Sequence, residues 1–123
     1  LIFDDGLPHL AAMTSLKRLN LWRVAVTDNG IANLAGLQQL EWLNLDNTRL
    51  TDAGLPPLAG LHPLTFLHLG STAITDAGLT NLESLTTLCD LKVTRTAVTA
   101  AGVAQLKTQL PETEVQLEYI AGD

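Results

Sequence analysis

The side chains in this sequence that could form a catalytic triad are Ser71, His68 and an aspartate, either Asp46 or Asp90. A triad needs a nucleophile hydrogen-bonded to a base that a carboxylate orients, beside an oxyanion hole. Ser71 lies three residues beyond His68, roughly 10 Å along an extended strand. No glycine-rich elbow supports this serine. The pattern therefore favours a histidine on a binding surface, and we expect the protein not to be an enzyme.

A second set of chemically suggestive residues is the recurrent Asp28, Asp52 and Asp76, whose regular spacing would suit a ladder of calcium sites. Each follows a threonine and precedes x-Gly, a context more typical of a helix N-terminus, where threonine caps and aspartate is favourable. Cys89 is the only cysteine, so neither an internal disulfide nor a zinc-binding set of thiols can form. We therefore predict no metal and no cofactor.

The aspartates belong to one turn that the chain repeats at intervals of 24 residues. The four copies are Thr27–Ile31, Thr51–Leu55, Thr75–Leu79 and Thr99–Val103. Glycines at positions 6, 30, 54, 78 and 102 keep the same interval. A fixed period of this length indicates a solenoid of stacked turns.

Two apolar periodicities alternate within each unit. Leu19 and Leu21 are two residues apart, as in a half-buried strand, whereas Ile31, Leu34 and Leu37 are three apart, as on a helical or 3₁₀ face. The later copies keep both spacings. One unit cannot bury its own leucines, so the units must stack with parallel strands side by side.

The consensus L-x-x-L-x-L-x-x-T-x-[LIV]-T-D-x-G-[LI]-x-x-L-x-x-L resembles the leucine-rich repeat over nearly the whole chain. It is most similar to the short bacterial and the ribonuclease-inhibitor-like or cysteine-containing varieties. The resemblance implies an α/β fold, a right-handed leucine-rich-repeat solenoid forming a horseshoe arc. The parallel β-sheet would line the concave face, and helices or 3₁₀ segments the convex face. This family serves many unrelated partners, so the resemblance predicts the fold and leaves the ligand open.

We predict one repeat domain over residues 1–123. A partial first turn covers 1–15 and includes Ile2 and Phe3, full turns begin at about 16, 40, 64 and 88, and a closing strand covers about 114–118. Because the chain begins at Leu1, within a turn, we expect an excerpt or a processed product. Pro56 and Pro57 should keep the convex segment of their turn 3₁₀ or delay its start.

Two sets of threonines also have predicted roles. Thr27, Thr51 and Thr75 should cap the convex segments. Thr48, Thr72 and Thr96 should enter the core, with hydroxyls that bond backbone groups of the adjacent turn.

Strand residues between the buried leucines must point outward onto the concave face, in columns that continue from turn to turn. The first column is Arg18, Trp42, Phe66, Asp90 and Glu114; the second is Asn20, Asn44, His68, Lys92 and Gln116; the third is Trp22, Asp46, Gly70, Thr94 and Glu118. Arg23, Asn47, Ser71, Arg95 and Tyr119 follow just beyond the strands.

This array holds both tryptophans, the only tyrosine and one of the two phenylalanines. Exposed aromatics are typical of binding hot spots, although a cross-strand pair such as Trp42–Phe66 could simply stabilise the sheet. The candidate ligand-binding residues are Trp22, Trp42, Phe66, His68, Asn20, Asn44, Asp46 and Lys92.

The net charge of −6 argues against nucleic acid, and weakly against anionic membrane surfaces. No apolar run is long enough to span a bilayer. We therefore predict that the concave face recognises a protein or peptide. The alternatives are a structural spacer within a longer protein and carbohydrate or cell-wall binding, since neighbouring Trp, Asn and Asp also suit sugars.

Overall fold

The computed structural model describes residues 6–118, so the predictions that concern Ile2, Phe3 and Tyr119 lie outside the described residues. Five three-residue strands each begin 24 residues after the one before. They are β1 Arg18–Asn20, β2 Trp42–Asn44, β3 Phe66–His68, β4 Asp90–Lys92 and β5 Glu114–Gln116.

The strands form one parallel sheet in the order β1-β2-β3-β4-β5. Every strand residue pairs with the residue 24 positions further on, so Leu43 lies beside Leu67 and Leu67 beside Leu91. The sheet register therefore equals the sequence period. This arrangement confirms the predicted leucine-rich-repeat solenoid, with the sheet on one face and short helical segments on the other.

The convex face consists of short helical segments. Within residues 7–118, three are α-helical: α1 Leu7–Ala11, α2 Asp28–Ile31 and α3 Ala100–Lys107. Four more segments of this range are 3₁₀: Ala32–Gly36, Asp52–Gly54, Pro56–Gly60 and Asp76–Leu82. The expected 3₁₀ geometry after Pro56 is confirmed, yet the proline-free segment Asp76–Leu82 is 3₁₀ as well. A leucine every third residue fits the three-residue turn of a 3₁₀ helix, so the apolar spacing favours this geometry even without proline.

The core is a continuous stack of leucines between the two faces. Leu43, Leu67 and Leu91 are completely buried, as are Leu58 and Leu61 on the convex side. Each strand contributes its central residue, and each convex segment contributes residues spaced three apart. Burial therefore depends on the neighbouring turns, as expected of a repeat stack.

The aspartate of each Thr-Asp turn bonds the threonine of the next turn. Oδ1 of Asp52 accepts the Thr75 N–H at 2.8 Å, and its Oδ2 accepts the Thr75 hydroxyl at 2.5 Å. The same pair of bonds joins Asp28 to Thr51 and Asp76 to Thr99. We call these three pairs the aspartate bridges. The hydroxyl and the N–H of Thr99 lower the pKa of the Asp76 carboxyl from its ordinary value.

The glycine of the turn makes room for the bridge. A β-carbon at Gly78 would lie 2.2 Å from Oδ1 of Asp52, and one at Gly102 would lie 2.0 Å from Oδ1 of Asp76. The glycine therefore permits a close approach between turns. Only part of the capping prediction is confirmed. Thr51 accepts the Ala53 N–H at 3.3 Å and Thr75 makes the equivalent bond, but Thr27 accepts none from α2.

The prediction for the core threonines is wrong about their partners. The hydroxyl of Thr48 donates to the Leu45 carbonyl at 2.9 Å, three residues back in its own turn. Thr72 and Thr96 make the same bond within theirs. The chain bends sharply after each strand and exposes a carbonyl to this hydroxyl, so the bond forms locally.

Candidate functional site

The concave face is the surface formed by the outward residues of β1–β5 and the turns that follow them. Of the predicted site residues, Trp22 and Asn20 are exposed, whereas the others are half-buried. Trp22 keeps 53% of its surface accessible.

An aromatic stack crosses the first two strand pairs of this face. Trp42 and Phe66 are register partners on β2 and β3, and their rings stack with centroids 4.9 Å apart and planes 7° from parallel. The Cζ atom of Arg18, on β1, lies 4.5 Å from the centroid of Trp42. His68 meets Phe66 edge to face at 6.4 Å. We call Arg18, Trp42 and Phe66 the aromatic ridge.

The second outward column accepts hydrogen bonds from the turn that ends each strand. Oδ1 of Asn20 accepts the Trp22 N–H at 3.0 Å, and Oδ1 of Asn44 accepts the Asp46 N–H at 2.9 Å. Nδ1 of His68 accepts the Gly70 N–H at 3.0 Å. These side chains therefore hold the backbone of the turn, a role that the sequence prediction missed. The signal was present, because asparagine commonly bonds the N–H two residues ahead.

His68 does not have the geometry of a catalytic base in a triad. Its Nδ1 accepts a backbone N–H, so the neutral ring carries its hydrogen on Nε2. A triad histidine instead donates from Nδ1 to the orienting carboxylate. Asp46 and Asp90 flank His68 in neighbouring turns, but the histidine's Nδ1 is already occupied.

Lys92 belongs to a different part of the face. Its Nζ donates to Oε1 of Gln116 at 2.6 Å, towards the last strand. The structure thus separates Lys92 from the aromatic ridge, which ends on the preceding strand.

The third outward column differs from its prediction. Gly70 and Thr94 are buried, not exposed. A β-carbon at Gly70 would lie 2.6 Å from Cε1 of His68, 2.7 Å from Oγ1 of Thr94 and 3.0 Å from Oδ1 of Asp46. The missing side chain lets these three groups converge above the glycine, so the column is covered at Gly70 and Thr94, whereas Trp22 and Glu118 in the same column remain exposed.

A ladder of left-handed residues lies just beyond the strands. Arg23, Asn47, Ser71 and Arg95 have φ values of 61°, 58°, 53° and 53°. The N–H of Arg23 donates to the Asp46 carbonyl at 3.0 Å, and those of Asn47 and Ser71 donate to Gly70 and Thr94. The left-handed residue thus turns the chain away from the sheet while it keeps one more bond between turns.

All four left-handed residues line a shallow cavity of about 400 Å³ at the strand ends. Its other lining residues are Asn20, Trp22, Asn44 and Asp46. The Cζ atom of Arg23 lies 5.5 Å from the ring centroid of Trp22. We call this space the strand-end cavity.

The structure therefore divides the predicted site residues into groups. Trp42 and Phe66 belong to the aromatic ridge, and His68 contacts its edge through Phe66. The other group, which lines the strand-end cavity, is Asn20, Trp22, Asn44 and Asp46. The prediction omitted Arg18, Arg23, Asn47, Ser71 and Arg95, although the 24-residue interval places them in the same arrays.

Residues 6–118 contain no group of metal-ligand side chains and no membrane-spanning helix. Within that range, no three His, Cys, Asp or Glu side chains are grouped closely enough to hold a metal ion. None of the helical segments in the described part of the chain combines the length and apolar character of a bilayer-crossing helix.

Solved structures with a similar fold include the following three. Internalin C2 from Listeria monocytogenes matches with a TM-score of 0.75 and 28% sequence identity, over 94% of this chain and 49% of its own. A leucine-rich repeat protein from Leptospira interrogans matches with a TM-score of 0.71 and 22% identity, over 89% of this chain and 27% of its own. Actin-binding site 2 of leiomodin-1 matches with a TM-score of 0.69 and 16% identity, over 95% of this chain and 79% of its own.

The chain spans about half the length of the internalin structure and about a quarter of the Leptospira one. No protein-family model matches the sequence, and the search of curated proteins finds no match.

Proposed function

Because this chain is a leucine-rich repeat protein, we propose that it recognises a protein or peptide on its concave face without catalysing a reaction. Residues 1–123 would act as one recognition domain. Stacked repeats present an extended concave surface, which suits a chain-like or protein-sized ligand better than a small metabolite. The repeat fold supports binding in general, and we assign that binding to the concave face and its outward side chains.

The observation that carries the proposal is the aromatic ridge. The ring centroids of Trp42 and Phe66 are 4.9 Å apart, which matches the spacing of adjacent strands, so the rings stack from strand to strand. Since the stacking axis lies in the sheet, one edge of each ring points away from the sheet. The ridge combines the half-buried rings of Trp42 and Phe66 with the exposed Arg18, and tryptophan and arginine are enriched in the anchors of protein interfaces.

Stabilisation of the sheet would explain the stacked rings of Trp42 and Phe66. It would not explain why Trp22, which lies outside the ridge, is exposed on the same face. An aromatic pair stabilises a fold by about 0.5–1.5 kcal/mol beyond its burial. Trp22 packs against no second aromatic ring in the part of the chain that the structure describes, and it remains 53% exposed. Two tryptophans on one face, only one of them in a stack, favour a surface shaped for a ligand.

A library selection tests the proposal even while the natural partner is unidentified. Phage-displayed random peptides of about twelve residues would be selected on the immobilised chain and their affinities measured by calorimetry. We expect Trp42→Ala to weaken the selected peptides about 30-fold or more, which corresponds to the 2 kcal/mol of an interface hot spot. The matched control is His62→Ala, an exposed histidine of the convex face, which should leave affinity unchanged.

Circular dichroism would verify that both variants fold. If no peptide is enriched, or if the peptides bind Trp42→Ala as tightly as the parent, the concave ridge is not the site. The structural-spacer alternative would then be favoured. A glycan array tests the carbohydrate alternative, which Trp22 beside Asn20, Asn44 and Asp46 would support.

A further inference from the structure

The strand-end cavity is built from residues in an unfavourable backbone conformation. Glycine adopts a φ near +55° freely, whereas a β-carbon is disfavoured there and only asparagine among these side chains tolerates it well. The chain nevertheless places Arg23 and Arg95 at φ 61° and 53°, and both guanidinium-bearing residues line the cavity. Strained non-glycine residues that gather at one cavity point to a function for their side chains.

The asparagines of the cavity present mainly donors. Oδ1 of Asn20 and Oδ1 of Asn44 are already bonded to backbone N–H groups of the turn. Their Nδ2 groups donate to no protein acceptor among the described residues. The arginines add guanidinium donors, which have no acceptor capacity at all. The cavity is therefore rich in donors, and its natural complement is an acceptor.

The charge of the cavity has the opposite sign to that of the molecule. Its lining contains two arginines and one aspartate, a net charge of +1, whereas the whole chain carries −6. Asp46 offsets one of the two cations, so the cavity suits a single anionic group better than a run of phosphates. A carboxylate has this charge and binds guanidinium groups in a bidentate geometry.

We propose that the strand-end cavity binds an aspartate or glutamate side chain of an acidic peptide segment in the partner. This inference rests on the proposed function and specifies the chemistry of the ligand. Arg23 and Arg95 would hold the carboxylate, and the amides of Asn20 and Asn44 would add hydrogen bonds. The exposed ring of Trp22 would cover the apolar stem of the acidic side chain.

The strained backbone supplies an unusually clean test. Arg23→Gly and Arg95→Gly remove a cation but relieve the backbone, so their melting temperatures should equal or exceed that of the parent. Each should weaken the selected peptides about tenfold or more, with the loss reduced at high salt. The selected peptides should be enriched in Asp or Glu, and replacing that residue by Asn or Gln should cause a similar loss.

Combining the peptide substitution with the arginine substitutions tests whether the two charged groups contact each other. The peptide whose acidic residue is replaced by Asn or Gln should bind the glycine variants as well as it binds the parent. Its contact with the arginine is already missing, so removing the arginine costs nothing further. The matched control is Arg49→Gln, which removes an exposed arginine that does not line the cavity and should change affinity less than twofold.

Specific outcomes would overturn the assignment. If Trp42→Ala weakens the peptides but neither glycine variant does, the acidic subsite is wrong while the concave-face proposal stands. If neither Trp42→Ala nor the glycine variants matter, both are wrong. Binding of polygalacturonate that the glycine variants abolish, with the peptides unaffected, would assign the cavity to an acidic glycan and overturn the peptide assignment.

Discussion

Replacing Gly78 by alanine tests whether the aspartate bridges hold adjacent turns together. The added β-carbon would lie 2.2 Å from Oδ1 of Asp52 and 2.8 Å from Cδ1 of Leu55. Real β-carbons do not approach other atoms this closely, so the Asp52 carboxylate and the leucine methyl group must both move. The carboxylate cannot move without losing its bonds to Thr75, which measure 2.8 and 2.5 Å.

The expected magnitude follows from three contributions. Two half-exposed hydrogen bonds to a carboxylate are worth about 2–3 kcal/mol together. Displacing a methyl group in a closely packed core adds about 1–3 kcal/mol. Alanine favours a helical segment by about 0.5–1 kcal/mol relative to glycine, which reduces the loss of stability. We therefore expect Gly78→Ala to lower the free energy of unfolding by about 2–5 kcal/mol.

Urea melts followed by far-UV circular dichroism would measure this loss, with an unchanged m-value showing that the unfolding transition is the same. Gly60→Ala is the matched control, because its β-carbon would meet nothing within 4 Å and should leave stability unchanged or slightly raised.

A double-mutant cycle then isolates the bridge. Asp52→Ala removes the carboxylate that Gly78→Ala displaces, so the double variant should lose at least about 1 kcal/mol less than the two single losses combined. Strict additivity, or a neutral Gly78→Ala, would refute the reasoning.

Two further predictions concern the core and the dependence of stability on pH. Leu67→Ala should lower the free energy of unfolding by about 2–5 kcal/mol as a buried cavity, whereas His68→Ala should lower it by about 1 kcal/mol through one hydrogen bond and a ring contact; equal losses in urea melts would mean a wrong strand register. The bonds from Thr99 lower the pKa of the folded Asp76 carboxyl below that of the unfolded chain, which is ordinarily 3.8. The carboxyl therefore stabilises the fold above the unfolded pKa, and this stabilisation is lost as pH falls through the folded pKa. Asp76→Asn should therefore flatten the acid limb of a stability–pH curve below about pH 4 and leave its slope between pH 5 and 7 unchanged; a change confined to that neutral range would contradict the prediction.

The repeat period made the sheet face predictable. Because turns of 24 residues stack one per strand, the residue 24 positions on becomes the neighbour in the sheet, and Trp42 and Phe66 had to share a column. The alternation of Leu19 and Leu21 with outward residues then identified which side chains reach the concave face. Gly70 and Thr94 are exceptions to this rule. Because Gly70 has no side chain, groups of His68, Asp46 and Thr94 converge there, and this part of the third column is buried.

What the sequence determined by itself was therefore the pattern common to all turns: the stacking period, the buried leucines and the columns of outward side chains. Periodicity carries this information because every turn repeats the same burial requirement. Tertiary structure alone decided how neighbouring turns meet. The bridge from Asp52 to Thr75, the amide oxygens committed to the backbone and the left-handed arginines of the strand-end cavity all depend on the distance and orientation between turns. These are set by the packed backbone and not by residue spacing, since the same carboxylate can cap its own segment or bond the next turn until the turns are stacked.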